Sequence, residues 1–469
     1  MRKFTRIIAA TLAFVMIFFA FGCSGEKTPG TTSETTQETT SETAPETALE
    51  TAPETTTETE PEKETESDIT SETTPEVLLS VDLLRNIPAR EVEGKAADKT
   101  FNSNYNDFAL DLFREVYGAE GSGENLLLSP LSVMLALGMV ANGAKGETAE
   151  EFAKLLGGGD ITIDDLNRYL MTYADGLYSG ENCKLELANS VWFRNAEYFV
   201  VLEEFLQSVV DYYDASVYAE PFDETTLENI NNWVYNHTDG MIEKILDEIT
   251  PDDMMFLINA VVFDAKWQEE YKSENVKKGK FTQADGKKID VDMMTSTENA
   301  YYEDDLAVGF KKNYEGGKYG FVALLPKTGV SIDEYIAALD GERIEKLLSK
   351  PMPSTEVEAT MPKFSFDYET DLADLLAALG LGTAFSGAAD FSGISETVDL
   401  CISEVVHKTF IDVSESGTKA AAVTEIGMKA TSVFVENHKV VTLDRPFVFM
   451  IVDNATATPI FVGTLQFVK

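Results

Sequence analysis

The sequence is poor in the residues and motifs on which most enzyme active sites depend. Its 469 residues include three histidines and three cysteines. It contains no G-x-S-x-G, H-E-x-x-H, G-x-G-x-x-G, G-x-x-x-x-G-K-[ST] or C-x-x-C motif. These absences argue against a nucleophile-elbow hydrolase, a zinc protease, a nucleotide-binding enzyme and a thiol oxidoreductase. A catalytic triad scattered along the chain stays open, since triads are recognised by geometry and not by order.

The few side chains that could perform chemistry have simpler structural interpretations. His407 lies inside an apolar strand pattern, which favours a buried histidine with satisfied hydrogen bonds. The acidic pairs Asp252, Asp253 and Asp304, Asp305 lie in polar segments and indicate solvated surface. No group of histidine, cysteine and carboxylate residues has the spacing of a metal site. We therefore expect no metal, no cofactor and no enzymatic activity.

A strong excess of acidic residues argues against another class of function. The formal net charge is −44, with 81 acidic residues against 37 lysines and arginines. Such a surface repels phosphate backbones, so nucleic acid is not an expected partner.

Three cysteines are also few for an exported protein. For Cys183 and Cys401 we expect two unpaired, buried thiols, and a disulfide between them is the alternative.

Residues 1–22 have the features of an export signal. Three basic residues among the first six precede an apolar run from Ile7 to Phe21, which is short for a bilayer-spanning helix of about 20 residues. The run ends in AFGCSG, which resembles the lipobox of bacterial lipoproteins. That resemblance implies a lipid on Cys23 and attachment to the outer face of the cell membrane. A cleaved secretory signal is the alternative.

The composition of residues 23–76 predicts a disordered tether. From 26 to 76 the chain is mostly Thr, Glu, Ser, Pro and Ala, and fifteen acidic residues against two lysines give a net charge of −13. So little apolar surface cannot offset the conformational entropy of the chain, and the like charges extend it. The domain that follows, 77–469 with its core from about residue 101, keeps a net charge of −34.

The order of helical and strand patterns along the domain indicates an α+β fold, with helices concentrated in its first half. The stretch NYNDFALDLFREVY has apolar residues at helical spacing. Ser129 can cap the next helix, with Pro130 at its first position. The segments ELANSVWF, FLINAVVFDAKW, KYGFVALLP and CISEVVHKTFIDV are rich in β-branched and aromatic residues and predict strands. At the end, KVVTLDRPFVFMIVD and NATATPIFVGTLQF predict a hairpin across residues 454–457.

The segment ESGTKAAAVTEIGMKATSV, residues 415–433, is compatible with a strand but has no predicted partner. Side chains of a strand alternate between two faces. One face would carry Thr418, Ala420, Ala422, Thr424, Ile426 and Met428, and the other Lys419, Ala421, Val423, Glu425, Gly427 and Lys429. Every charged residue falls on the second face, so a slip by one residue would bury three charges. Gly417 can act as a hinge because glycine tolerates unusual backbone angles.

Several segments together resemble the serpin family of serine protease inhibitors. NLLLSPLSVMLALGMVANGAKGET is similar to the helix B region, and FLINAVVFDAKW is similar to the third strand of the central sheet. ISEVVHKTFIDVSESGTKAAA is similar to the fifth strand and the start of the reactive loop, and VTLDRPFVFMIVD to the C-terminal signature. The resemblance covers about residues 101–469. Lys419 departs from it, since an acidic residue is usual at that position.

The resemblance implies a serpin fold and a suicide-substrate mechanism. By this resemblance residues 415–433 are an exposed reactive loop, a strand held outside its sheet, that acts as bait. The target protease attacks one bond and forms an acyl-enzyme. The cut loop then inserts into the central sheet as an additional strand and carries the protease across the molecule. We therefore expect a surface-tethered, monomeric inhibitor of serine proteases. The alternative is a non-inhibitory member of the family, a binding or structural module whose loop is cut only as a substrate.

The resemblance also assigns roles to individual residues. The hinge of the loop comprises Glu415, Gly417, Thr418, Lys419, Ala420, Ala421 and Ala422. The shutter beneath the insertion site comprises Ser129, Ser132, Asn259 and His407, and Trp267 lies at the top of the third strand. The usual spacing puts the cleaved bond at Thr431–Ser432, which suggests elastase- or subtilisin-like targets. A bond at Lys429–Ala430 would instead invite trypsin-like enzymes.

Overall fold

The computed structural model of the protein describes residues 79–177, 180, 182–352, 355–418 and 437–468. The predicted signal, the predicted tether and most of the reactive segment lie outside these residues. Within them the chain forms nine α-helices. They are α1 (Lys99–Glu120), α2 (Pro130–Ala141), α3 (Gly146–Gly157), α4 (Ile163–Asp175), α5 (Glu203–Tyr212), α6 (Glu224–His237), α7 (Ile332–Ala337), α8 (Gly341–Leu348) and α9 (Ala373–Leu376). None of the helices in these ranges combines the length and the apolar character that crossing a bilayer would need.

The predicted cap of α2 is present. Pro130 is its first residue, and the Ser129 hydroxyl oxygen accepts a hydrogen bond from the Ser132 backbone N–H at 3.4 Å. Every residue of α2 is buried, as its lack of a polar face predicts. Asn142 follows the helix, and Gly146 begins α3.

A seven-stranded sheet forms the centre of the domain. Its order is β1 (Val81–Asp82), β4 (Ser216–Glu220), β3 (Cys183–Arg194), β5 (Met255–Lys266), β14 (Gly417–Thr418), β13 (Val406–Val413) and β12 (Phe364–Asp371). The strand β5 is buried on both faces over its first nine residues, because helices and a second sheet cover it. Parallel pairing occurs between β3 and β4 and between β5 and β13, and the other pairs are antiparallel.

Two smaller sheets complete the α+β fold. The first has the order β2 (Leu126–Leu128), β17 (Thr458–Leu465), β16 (Phe447–Asp453), β10 (Tyr319–Pro326), β9 (Ala307–Asn313) and β8 (Tyr301–Glu303). The second has the order β15 (Asn437–Thr442), β11 (Thr355–Pro362), β7 (Lys288–Glu298) and β6 (Val276–Thr282). The strands β16 and β17 form the predicted terminal hairpin. A separate apolar cluster packs α6 onto the outer face of the seven-stranded sheet, through Trp233 of the helix and Phe256 and Ile258 of β5.

Three sequence-based predictions were wrong in their details. The strand predicted from Cys401 begins only at Val406, because residues 401–405 are a loop that bonds to the end of β12. The first arm of the terminal hairpin is shorter than predicted, since residues 437–442 form β15 in another sheet. Cys401 is exposed in its loop, whereas Cys183 is buried, and both thiols are free.

Candidate functional site

The seven-stranded sheet is open at one end and closed further along. At the open end β14 lies between β5 and β13 and pairs antiparallel with both. Six residues further along each neighbour, β5 and β13 pair directly, with Asn259 opposite His407. We call the line between β5 and β13 the seam. Its end near Ala265 and Val413 already holds two residues of an added strand. The prediction that the whole segment stays outside the sheet is wrong for Gly417 and Thr418.

Side chains and backbone around Trp267 hold the residues before β14. The Trp267 backbone N–H donates to the Ser416 carbonyl at 2.9 Å, and its indole N–H donates to the Ser414 carbonyl at 2.9 Å. The Tyr271 backbone N–H donates to the Glu415 carbonyl at 2.9 Å. Lys363 makes a half-exposed ion pair with the Glu415 carboxylate at 2.8 Å. Residues 414–416 are therefore held by hydrogen bonds. Trp267 directly follows the last residue of β5, and its role stays a prediction.

The two residues of β14 fit the seam because of their size. A side chain at Gly417 would place its Cβ 2.1 Å from the Ala265 carbonyl oxygen, so only glycine can lie this close. Thr418 is 2% exposed, and its hydroxyl is 2.6 Å from the hydroxyl of Tyr314. Burial raises the pKa of Tyr314 well above its usual range, so this hydroxyl stays protonated and available for the bond. Sequence reasoning missed Tyr314, because nothing local in the chain links it to Thr418.

The four predicted shutter residues come together at the closed part of the seam. The Ser129 backbone N–H donates to His407 Nε2 at 3.1 Å, and Ser129 in turn caps the helix that carries Ser132. The Asn259 amide donates to the side-chain oxygen of Asn189 on β3, a partner that the sequence did not reveal. Within the described residues, the Ser132 hydroxyl and Asn259 Oδ1 have no hydrogen-bond partner. The shutter role itself stays a prediction.

His407 is neutral at physiological pH. Its Nε2 accepts a hydrogen bond, so the proton lies on Nδ1. Burial lowers the pKa of His407 from 6.5 to about 4. This environment explains why a histidine inside a strand need not be catalytic.

The lowered pKa predicts that acid weakens the fold at the shutter. The folded state holds the proton less tightly than the unfolded state, so the cost begins below about pH 6.5 and levels off near pH 4 at roughly 3 kcal/mol. The free energy of unfolding should therefore fall by roughly 2–3 kcal/mol more in the native chain than in His407→Gln, between about pH 7.5 and about pH 4.5. Urea titrations of both proteins measure this difference. An equal loss in the two proteins would contradict the assignment.

Several predicted residues lie outside the described part of the chain, and their roles stay predictions. These are Cys23, Lys419, Ala420, Ala421, Ala422, Lys429, Ala430, Thr431 and Ser432. Other candidate groups are described and have structural partners. Asp304 and Asp305 both bind Arg343, and His237 stacks on Trp233 and bonds to its carbonyl. Among the described residues, no cluster of three or more His, Cys, Asp or Glu side chains is suited to hold a metal ion.

Comparisons with known proteins agree with this geometry. The family model described as Serpin (serine protease inhibitor) matches residues 103–466. An uncharacterised serpin-like protein of Thermococcus kodakarensis is 32% identical, over 80% of this chain and 88% of the relative. Human neuroserpin is 30% identical, over 77% of this chain and 90% of the relative. The crystal structure of the thermophilic serpin tengpin in its native state is 44% identical, has a TM-score of 0.79, and covers 83% of this chain and 100% of that one.

Proposed function

The chain belongs to the serpin family, and from that premise we propose that it is a monomeric suicide-substrate inhibitor of serine proteases. Members of this family are generally protease inhibitors and not enzymes. In the proposed reaction a protease attacks the reactive segment, cuts one bond and forms an acyl-enzyme. The new C-terminal peptide stays in the fold through β15, β16 and β17. The cut segment then continues β14 down the seam between β5 and β13. The protease, still acylated, moves with it and loses its active geometry.

The position of Thr418 is the observation that carries this proposal. It is the first residue of the alternating pattern that points to the core, and it is already buried between two strands. It lies opposite Ala265 on β5 and opposite Val413 on β13. The residues that follow would extend a strand that exists, which removes the need to start a new one.

The register of the two neighbouring strands supports continued insertion. Counted on from Thr418, residue 424 comes opposite Asn259 along β5 and opposite His407 along β13. Asn259 and His407 face each other now, so both sides of the seam would separate at the same level without a shift in register. Thr424 would bring a hydroxyl next to Asn259 Oδ1, which has no partner among the described residues. Insertion would thus satisfy a buried polar atom.

The same count supports the predicted position of the bond. Met428 would lie opposite Met255, which is the first residue of β5. Thr431 would follow three residues beyond the end of that strand, so the attached protease would lie past the end of β5. Fourteen strand residues from Thr418 span roughly 46 Å, so the protease would travel the length of the sheet. A small residue at Thr431 favours elastase- or subtilisin-like targets over trypsin-like ones.

The proposal is tested by incubating the protein with elastase, subtilisin, trypsin and a papain-like protease. We expect an SDS-stable adduct with elastase or subtilisin and a C-terminal peptide, separated by the SDS, that begins at Ser432. A peptide that begins at Ala430 would move the bond and point to trypsin-like targets. Cleavage by all the serine proteases without any adduct would overturn the inhibitor proposal and leave a non-inhibitory serpin. No cleavage would remove the bait role as well.

We also propose that the domain is tethered to the outer face of the cell membrane by lipid on Cys23. The support is in the sequence alone: the lipobox-like AFGCSG and the acidic segment 26–76 that would hold the domain away from the bilayer. Cells grown with labelled palmitate should yield labelled protein in the membrane fraction. Cys23→Ala should remove the label and release the protein, and a Cys23→Ala protein that stays labelled would overturn this assignment.

A further inference from the structure

A lysine is buried beside the residues that hold the hinge. The Lys312 side chain is 2% exposed and makes an ion pair with Glu298 at 2.9 Å. Its ammonium lies 4.4 Å from the centre of the Tyr271 ring and 5.6 Å from the ring of Trp267. The site is therefore a cation held between two aromatic faces and one carboxylate.

The ion pair is an unusual choice for this position. On β9 the residues Phe310, Lys312 and the following Tyr314 share one buried face, where an apolar side chain would be the simpler solution. Taking two charges out of water carries a large cost, and well-packed apolar residues often replace such pairs without loss of stability. A buried ion pair therefore needs an explanation other than stability.

The two aromatic residues around Lys312 are the ones that hold the hinge. The backbone N–H groups of Trp267 and Tyr271 donate to the carbonyls of Ser416 and Glu415, each at 2.9 Å. The indole of Trp267 also stacks on Tyr314, the partner of Thr418, with ring centres 4.5 Å apart. The contacts that link Lys312 to the hinge run through these two rings.

Glu298 connects the same cluster to another sheet. It is the last residue of β7, and its carboxylate accepts hydrogen bonds from Lys312 and from the Ser296 hydroxyl at 2.6 Å. That sheet also contains β15, the strand that follows the reactive segment. A polar cavity of about 260 Å³ opens onto Lys312 and Glu298, so an unpaired charge there could draw in water.

We propose that Lys312, with Glu298, is a positioning residue for the hinge. The cation fixes the Tyr271 and Trp267 rings. The backbone N–H groups of these two residues then hold residues 415 and 416, so that Gly417 and Thr418 lie in the seam before cleavage. The consequence for inhibition rests on the proposed function: a hinge that is seated in advance lets insertion start before the acyl-enzyme hydrolyses. The effect on the hinge itself does not depend on any protease.

Hydrogen exchange of the uncleaved protein tests this assignment directly. In Lys312→Met we expect the backbone N–H groups of Trp267 and Tyr271 to exchange at least about tenfold faster, because their acceptors are no longer held. Arg343→Met is the matched control, since Arg343 also makes a partly buried ion pair, with Asp304 at 2.7 Å, far along the chain from the hinge. Lys312→Arg keeps the cation and should restore slow exchange.

A second variant guards against failure of the first to fold. Glu298→Gln keeps the shape and an acceptor for Lys312, and it should accelerate exchange at the same two N–H groups by a smaller factor. Faster exchange at these groups in both variants, but not in Arg343→Met, supports the assignment. Unchanged exchange, or equal acceleration in Arg343→Met, overturns it.

The protease assay then separates this assignment from the proposed function. If the native chain forms an adduct, Lys312→Met should need more inhibitor molecules per protease, because more acyl-enzyme is hydrolysed before insertion. If the native chain forms none, the inhibitor proposal fails while the exchange result still decides the role of Lys312. An adduct with unchanged stoichiometry in Lys312→Met would overturn the link to insertion.

Discussion

Thr418→Arg should convert the protein from an inhibitor into a substrate. Proteases should still cut the reactive segment, but the SDS-stable adduct should be lost. The reason is geometric, since Thr418 is 2% exposed and packs between β5 and β13 with its hydroxyl against Tyr314. An arginine there would have to bury an unpaired charge, which costs several kcal/mol, and insertion would fail at its first step. Gel analysis with subtilisin or elastase measures the ratio of adduct to cleaved protein.

Ser365→Arg provides the matched control for that substitution. Ser365 lies on β12 of the same sheet, but its side chain is exposed on the other face of the strand from Phe364 and Phe366. The new charge would be solvated, so adduct formation should stay as in the native chain. If Thr418→Arg retained the adduct, insertion at this position could not be the trapping step. If both variants lost it, the effect would not be specific to the seam.

Cleavage within the reactive segment should make the protein far more stable. Insertion would add ladder hydrogen bonds at about 1 kcal/mol each and bury Ile426 and Met428 at about 1.5–3 kcal/mol each. The sum is roughly 10–20 kcal/mol before the cost of ordering the segment is subtracted. If ordering offsets most of that sum and about 5 kcal/mol remains, then at about 2 °C per kcal/mol the melting temperature should rise by roughly 10 °C. Calorimetry of the intact and the cleaved protein measures the shift.

The same variants define the control for this gain. Cleaved Thr418→Arg should melt close to its intact form, because its segment cannot enter the seam. Cleaved Ser365→Arg should gain as much as the native chain. A native chain that melts at the same temperature before and after a cut near residue 431 would show that the seam does not accept the segment.

Local chemistry made much of the fold predictable. The cap at Ser129 with Pro130 marks the start of α2, and the run of apolar residues marks β5 and β10 as buried strands. The alternation from Thr418 onward depends only on the two-residue period of a strand. Each of these features depends on residues that are neighbours in the sequence, so a single sequence is enough to predict them.

What the sequence did not disclose depends on contacts between distant residues. That Thr418 is already in the sheet follows from Tyr314 and Ala265, which lie more than a hundred residues earlier in the chain. Asn189 at the shutter is set by the pairing of β3 with β5, and Glu298 beside Lys312 by an ion pair between two different sheets. Residues 401–405 show the converse: an apolar pattern suggested strand, whereas a hydrogen bond to Asp371 keeps them in a loop.

Insertion along the seam is tested most directly by measuring where a trapped protease ends up. Cys401 is exposed five residues before β13, at the end of the sheet opposite the hinge, whereas Cys183 is buried. A dye on Cys401, in a protein with Cys23→Ala, can therefore report its distance to a second dye on the protease. Insertion predicts low energy transfer when the protease first meets the segment and high transfer in the adduct, after a movement of roughly 46 Å. An adduct with unchanged transfer would contradict insertion along the seam.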